Sequence, residues 1–157
     1  MKTAAKSWVV TGGAGFIGSH IVKALVAAKQ RVTVVDNFSS GFAENLIGVE
    51  KSIRLVQADI CRLPELLDAF SGADFVLHHA ALVSVPRSLE EPEATWQINV
   101  QGTANVLEAA RRCRVKRVVF ASSCSVYGSC LKPCRENSPL RSGSPYALSK
   151  QLGEDLC

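Results

Sequence analysis

The feature that most restricts the fold is a glycine cluster, Gly12-Gly13-Ala14-Gly15-Phe16-Ile17-Gly18, set between a short apolar run and a helical pattern. Residues 7–11 (Ser-Trp-Val-Val-Thr) read as a buried strand and residues 19–29 as a helix. Gly13, Gly15 and Gly18 therefore satisfy G-x-G-x-x-G in the setting that gives the pattern meaning. Glycines there permit a tight turn and close backbone approach, and the helix N-terminus offers free N–H groups to a pyrophosphate. A second strand over residues 31–35 runs into Asp36, 21 residues after Gly15. An acid at that place accepts hydrogen bonds from an adenosine ribose and repels a 2′-phosphate, which favours NAD over NADP. Alone, the glycines would suit any flexible turn. With strand, helix and acid in place they indicate a βαβ unit that holds a dinucleotide.

Strand and helix patterns alternate along the rest of the chain. The spacing predicts a polar loop over 37–45, a third strand over 53–58, and a helix over 63–70 with Pro64 in its first turn. A fourth strand follows over 75–79, then a loop from Ala80 and a long helix from about Pro92 to Cys113. A fifth strand over 117–121 leads through a loop of about twenty residues to a helix carrying Tyr146. Apolar strands alternating with helices imply an α/β fold, a Rossmann-type doubly wound parallel sheet covered on both faces. Right-handed crossovers suggest the strand order 3-2-1-4-5.

With 157 residues there is room for one domain with a sizeable core. No secretory pattern opens the chain and no apolar run approaches a membrane span, so a cytoplasmic location is expected. The net charge of +4 is mild, and the densest basic stretch, Arg111 to Arg117, falls at a helix end where cations favour the dipole. Neither a nucleic-acid nor a membrane partner is expected. The six cysteines form no Cys-x-x-Cys pair, and the adjacent His78 and His79 point to opposite faces of a strand, so no metal is expected. Cys130 and Cys134 flank Leu131-Lys132-Pro133 in a loop. A disulfide or a metal half-site is open to them, with free thiols the expectation in a cytoplasmic chain.

The unusual residues collect just after the predicted strands: Gly12 to Gly18, Asp36, Asp59-Ile60, Ala80-Ala81, and Ser122-Ser123. In an open parallel sheet those ends line one crevice, where ligands bind. Each also has a plain structural explanation. Asp59 can cap the helix near Leu63 or contact an adenine. Ala80 and Ala81 can be small for packing or to let a cofactor lie flat. Ser84 and Ser88 can form a turn, Arg87 can be exposed or meet a phosphate, and Ser122 and Ser123 can satisfy backbone. Asn99 would ordinarily be a solvated helix residue, and Tyr127 core packing. Tyr146 and Lys150 lie four apart, one helical turn, so both project from one face. An ammonium beside a phenol favours the phenolate, a general base able to take a proton from an alcohol. The spacing alone also occurs by chance on many helices.

Together these residues resemble the extended short-chain dehydrogenase/reductase family, specifically its NAD-dependent epimerase/dehydratase branch. The match spans Thr11 to Gly18, Asp36-Asn37-Phe38, Asp59-Ile60, His79-Ala80-Ala81, Asn99, Ser122-Ser123 with Val126-Tyr127-Gly128, and Tyr146 to Lys150. The resemblance implies that Gly12, Gly15 and Gly18 hold the NAD pyrophosphate, with Phe16 and Ile17 among the cofactor-binding residues, and that Asp36 holds the adenosine ribose. Asp59 and Ile60 would border the adenine, and Asn37, Ala80, Ala81 and Asn99 would complete the cofactor set. Ser123 would hydrogen-bond the reacting sugar hydroxyl, Tyr146 would act as base, and Lys150 would hold the nicotinamide ribose and lower the tyrosine pKa. Ser84 joins Ser123 and Tyr146 as a substrate residue.

Within the branch, 4,6-dehydratases carry an Asp-Glu pair directly after the catalytic Ser or Thr, where this chain has Cys124 and Ser125. Without those acids, loss of water across C5–C6 lacks its proton donor and base. The loop Ser84-Val85-Pro86-Arg87-Ser88 is similar to that of UDP-glucose and UDP-N-acetylglucosamine 4-epimerases. The implied activity is a nucleotide-sugar 4-epimerase of UDP-hexose type, by transient oxidation at C4 and return of the hydride to the other face. The alternatives are another sugar-nucleotide enzyme with the same oxidation step (a dehydratase, a UDP-glucuronate decarboxylase or epimerase, a sterol-type dehydrogenase) or a non-catalytic NAD-binding module. The expected partner is a UDP-sugar, and the expected assembly of the parent a homodimer.

Family members typically exceed three hundred residues, so residues 1–157 are expected to form an incomplete NAD-binding domain that lacks the last strands and a C-terminal substrate domain. The fifth strand is then expected to stand as an exposed sheet edge. Purified residues 1–157 are expected to bind NAD weakly and to turn over little or no sugar nucleotide; robust epimerase activity from that polypeptide overturns this expectation.

Overall fold

Consecutive apolar residues along the strands are needed because the sheet is buried on both faces. In the computed structural model, which describes residues 4–130 and 133–157, β1 (Ser7–Thr11) sends Val9 into one core and Val10 into the other. β2 (Arg31–Asp36) divides Val35 and Val34 in the same way, and β4 (Phe75–His78) divides Val76 and Leu77. With β3 (Ile53–Gln57) and β5 (Arg117–Phe120) the sheet has the order β3-β2-β1-β4-β5, with every pairing parallel. This is the expected doubly wound topology.

One core lies under α2 (Leu63–Phe70) and the later helices, where Leu66, Phe70, Val76 and Val106 are fully buried. The other lies under α1 (Phe16–Ala27), around Val10, Val22 and Val34. Register brings the strand ends level, since Thr11 pairs with Val35 on one side and His78 on the other. The chain adds strands on one side of β1 and then, from β4, on the other. The connections after β1 and β4 therefore lead to opposite sides of the sheet, and a crevice opens at the carboxyl ends of the strands.

Several local elements depart from the sequence reading. α1 starts at Phe16, because Gly15 is its N-cap, and it stops at Ala27, with Lys29 in the left-handed region at φ 57°. The stretch expected as a loop after Ala80 contains a helix, α3 (Val85–Glu90). The Ser84 hydroxyl accepts from the Arg87 N–H at 3.1 Å, and Pro86 occupies the first turn. Six residues are too few to display a 3.6-residue period. Ser84 is thus a helix cap, and Ser88 is a buried helix residue rather than a turn former.

The long helix exists but is divided into α4 (Pro92–Trp96), a π segment (Gln97–Gln101) and α5 (Gly102–Arg112). Short 3₁₀ turns occupy Ala43–Leu46, Glu50–Ser52 and Cys124–Tyr127, and the last helix is α6 (Pro145–Leu156). The two sheet edges carry half-exposed apolar side chains, Leu55 at 46% on β3 and Val119 at 50% on β5, as expected for β5. Cys130 and Cys134 are free thiols; Leu131 and Lys132 between them lie outside the described residues. Among the described residues, no helix is long and apolar enough to cross a membrane.

Phe70 is completely buried between α2 and the sheet. Phe70→Ala is expected to lower the unfolding free energy by about 3–5 kcal/mol, read from the urea midpoint. A loss under about 1 kcal/mol would show that this core does not carry the fold.

Candidate functional site

The crevice is built where backbone comes closest. Gly12 takes φ +68°, and a Cβ there would lie 2.6 Å from the Ala80 nitrogen, so the turn after β1 rests directly on the loop after β4. A Cβ at Gly18 would strike the Gly12 carbonyl oxygen. These two positions keep the first turn of α1 low against the strand ends. That turn has no side-chain cap, which leaves its leading N–H groups directed at the crevice.

Asp36 is 7% exposed, with Oδ2 accepting from the Ala14 N–H and Oδ1 from the Phe38 N–H, both at 2.9 Å. The carboxylate is thereby held at the lip of the glycine turn. Asn37 donates from Nδ2 to Asp59 Oδ2 at 3.2 Å, and Asp59 Oδ1 accepts from the Cys61 N–H at 2.8 Å. Partial burial pushes the Asp59 carboxyl up, but the hydrogen bonds from Cys61 and Asn37 outweigh it and hold the group below its usual range. The N-cap of α2 is Arg62 and takes no side-chain bond, so Asp59 does not cap that helix.

A cleft of about 550 Å³ runs across these strand ends, a size within the usual range for small-molecule sites. Its walls include Gly12, Gly15, Phe16, Ile17 and Gly18 from the turn, and Asp36, Asn37, Asp59 and Ile60 from the next two strand ends. Ala80, Ala81 and Ser84 line the opposite side, together with Tyr146 and Lys150 from α6.

Two expected site residues are absent from the cleft wall. Ser123 caps the 3₁₀ turn at Cys124–Tyr127, its oxygen accepting from the Ser125 N–H at 3.2 Å and from the Ser125 hydroxyl at 2.9 Å. Asn99 is 2% exposed, so it is no solvated helix residue. Its amide bonds the Leu82 N–H, the Leu82 carbonyl and the Ser149 hydroxyl.

Tyr146 and Lys150 are nearly buried, at 7% and 4% exposure. The Lys150 ammonium donates to the Ala121 carbonyl at 2.9 Å and stands 4.8 Å above the Phe120 ring. Burial with so little compensation pushes its pKa down to about 8. α6 can approach this closely because Gly153 faces the Phe120 ring, where any Cβ would collide.

The sequence reading assigned no role to His79, which lines the cleft half-buried, its imidazole pushed down by burial and by the Lys150 charge. Its neighbour His78 turns inward to Thr11 and Thr103, as adjacent strand residues must diverge. Ser122 also lines the cleft and donates to the Glu154 carboxylate of α6. Both fall in stretches that carry the family resemblance, which gave neither a role of its own. Among the described residues, no group of three or more His, Cys, Asp or Glu could hold a metal ion.

The sequence profile of the NAD dependent epimerase/dehydratase family matches residues 8–157. The UDP-glucose 4-epimerase of Mycolicibacterium smegmatis is 43% identical over 152 residues, which cover 93% of this chain and 48% of that protein. The UDP-glucose 4-epimerase of Thermus thermophilus, crystallised with NAD, superposes with a TM-score of 0.88 at 38% identity, over 95% of this chain and 49% of its own. DesIV, a dTDP-glucose 4,6-dehydratase from Streptomyces venezuelae crystallised with NAD and TYD, superposes at 0.90 with 37% identity, over 96% of this chain and 50% of its own. The chain spans about half the length of the relatives it matches.

The Lys150 amine has a folded pKa of about 8 against an ordinary 10.5, so between those values the unfolded chain binds more protons than the folded one. The contribution of Lys150 to stability therefore increases as pH rises through that window, and it is constant below about 8, where both states are protonated. Subtracting the unfolding free energy of Lys150→Met isolates this from the Cys61 thiol, which burial pushes up to about 11 and which acts in the opposite direction. The difference is expected to rise from pH 8 to 10.5 in urea titrations; a flat difference would show that the amine is solvated.

Proposed function

The chain belongs to the NAD-dependent epimerase/dehydratase family, and we propose that it carries the cofactor site and the acid–base pair of a nucleotide-sugar 4-epimerase acting on UDP-hexoses. The observation that carries this reading is the meeting of Tyr146 and Lys150, on one turn of α6, with the glycine turn and Asp36 in a single cleft. The fit to NAD is supported by the absence of Cβ atoms where the turn is tightest, at Gly12 and Gly18, and by the uncapped start of α1.

In this reading the N–H groups of Phe16, Ile17 and Gly18 hold the pyrophosphate, since the Gly15 N–H is donated to the Gly12 carbonyl. Asp36 holds the adenosine ribose: each carboxylate oxygen accepts one backbone N–H and retains a lone pair for a ribose hydroxyl. Asn37, Asp59 and Ile60 border the adenine end, and Ala80 and Ala81 leave a flat wall for the nicotinamide half. When bound, NAD supplies the oxidation at the sugar C4 and its reversal, so no net oxidant is consumed.

Tyr146 takes the proton from the 4-hydroxyl and later returns it. Lys150 lies one turn away and, when protonated, favours the phenolate and donates to the nicotinamide ribose. An anionic cofactor would restore protonation that burial opposes, coupling the charge of Lys150 to occupancy of the cleft. Ser123 accepts twice from Ser125, which leaves its own proton for the sugar oxygen.

Overall likeness does not separate epimerase from dehydratase, because DesIV superposes as well as the epimerase does. The residues after Ser123 favour the epimerase, since Cys124 and Ser125 offer no carboxyl group for loss of water. The test is incubation with UDP-glucose and UDP-N-acetylglucosamine, using a polypeptide of the relatives' length that contains this sequence, followed by separation of the products. C4 epimers are expected, and a 4-keto-6-deoxy sugar would overturn the assignment. Tyr146→Phe is expected to lower kcat by about 10²–10⁴ while NAD still binds. Undiminished turnover in that variant would remove Tyr146 from its role.

A further inference from the structure

Four polar side chains with no part in the chemistry above lie at the centre of the molecule: His78, Thr103, Asn99 and Ser149, each at most 2% exposed. With Thr11 they form two hydrogen-bonded runs that meet at Asn99, whose backbone ends one and whose side chain begins the other, and their proton directions can be assigned. The Thr103 hydroxyl donates its only proton to the backbone carbonyl of Asn99 at 2.6 Å, so towards His78 Nε2, 3.0 Å away, it can only accept. His78 therefore carries its proton on Nε2. Nδ1 accepts from the Thr11 hydroxyl at 2.7 Å, and the Thr11 oxygen in turn accepts from the Ala80 N–H at 3.3 Å.

At the other end, the Asn99 amide spans the backbone of Leu82, with bonds of 2.8 and 3.1 Å, and donates to the Ser149 hydroxyl at 3.0 Å. Ser149 passes its proton to the Tyr146 carbonyl at 2.7 Å. One run thus leads from Ala80 on the cleft wall to the backbone of Asn99, and the other ties Leu82 on the same wall to the first turn of α6. Asn99 lies inside the π segment, an interruption of regular helix of the kind found at functional sites.

We propose that His78, Thr103 and Ser149 are positioning residues for Tyr146 and Lys150: His78 and Thr103 hold the backbone of Asn99, and the Asn99 side chain with Ser149 fixes the first turn of α6 against the Ala80–Leu82 wall of the cleft. The functional weight of this device rests on the reading of Tyr146 and Lys150 as the acid–base pair. A second contact follows the same path. The His78 ring lies 5.6 Å from the Phe120 ring, whose face holds the Lys150 ammonium. A neutral His78 keeps a second positive charge away from that amine, and burial holds its pKa down to about 3. The other titratable groups around the amine are His79 at the end of β4 and Tyr146 and Glu154 on its own helix; Glu154 is engaged by Ser122.

The test uses the chain labelled with ¹³C at the lysine ε-carbon and ¹⁵N in histidine, with Thr103→Val, Thr103→Ser and Ser149→Ala beside the wild type. His78 is expected to show the neutral Nε2–H signature throughout pH 5 to 9, with Lys150 titrating near 8. Thr103→Val should release the tautomer, move the Lys150 midpoint by about half a pH unit or more, and weaken NAD binding about tenfold. Thr103→Ser should restore all three. Ser149→Ala should move Lys150 and NAD binding while leaving the His78 tautomer intact, and it decides the matter alone if Thr103→Val fails to fold. Should the wild type bind no NAD, the proposed function fails, and the Lys150 titration still tests the positioning. Unchanged Lys150 midpoints in both Thr103→Val and Ser149→Ala, or no rescue by Thr103→Ser, overturn the proposal.

Discussion

The close seat of the Gly12 turn on the loop after β4 sets the geometry of everything at the carboxyl edge of the sheet. A Cβ at Gly12 would lie 2.6 Å from the Ala80 nitrogen and 2.9 Å from the His79 carbonyl carbon, so a larger residue would push the two loops apart. Their closeness lets the Thr11 hydroxyl reach both His78 and the Ala80 N–H across the β1–β4 pair. It also keeps the N-terminus of α1 low enough to share one cleft with Asp36 and α6. Parallel pairing makes this possible, because level strand ends place every βα loop on the same side.

Electrostatic tension is strong at that edge, where burial pushes the Lys150 amine and the His78 imidazole down. The ion pairs at the surface, such as Glu108 with Arg111 and Arg112, hold the Glu108 carboxyl down to about 2 through hydrogen bonds, yet they sit in solvent and contribute little to stability. Lys150 is different, being buried with one carbonyl and one aromatic face as compensation. A cation in that condition interacts more strongly with an anionic ligand than an exposed one would, because less water competes. Neutral His78 beneath it is the complementary half of the arrangement. It gives the interior a polar connection without adding a charge.

Sequence patterns resolved the strands because both cores draw apolar residues from consecutive positions, and they resolved the cofactor turn because glycine is required where backbones touch. Element ends were less legible: α1 begins at Phe16 because Gly15 caps it, and α3 is a six-residue helix set by Ser84 and Pro86. Asp59 had two open readings, and only the packed loop shows its oxygens taken by Cys61 and Asn37 with α2 left uncapped. Ser123 was legible only by its place after β5, and the 3₁₀ turn alone shows its oxygen accepting twice from Ser125.

The sequence by itself determined the order of strands and helices, the glycine turn with its acid, and the one-turn spacing of Tyr146 and Lys150, because each is a local pattern of shape or period. Tertiary structure alone decided what those groups experience. Asn99 meets Ser149 across 50 residues, His78 meets Thr103 across 25, and Thr11 meets His78 across 67. No period in the chain encodes such pairings. They arise because burying a polar side chain demands a partner, and the fold supplies that partner from another element.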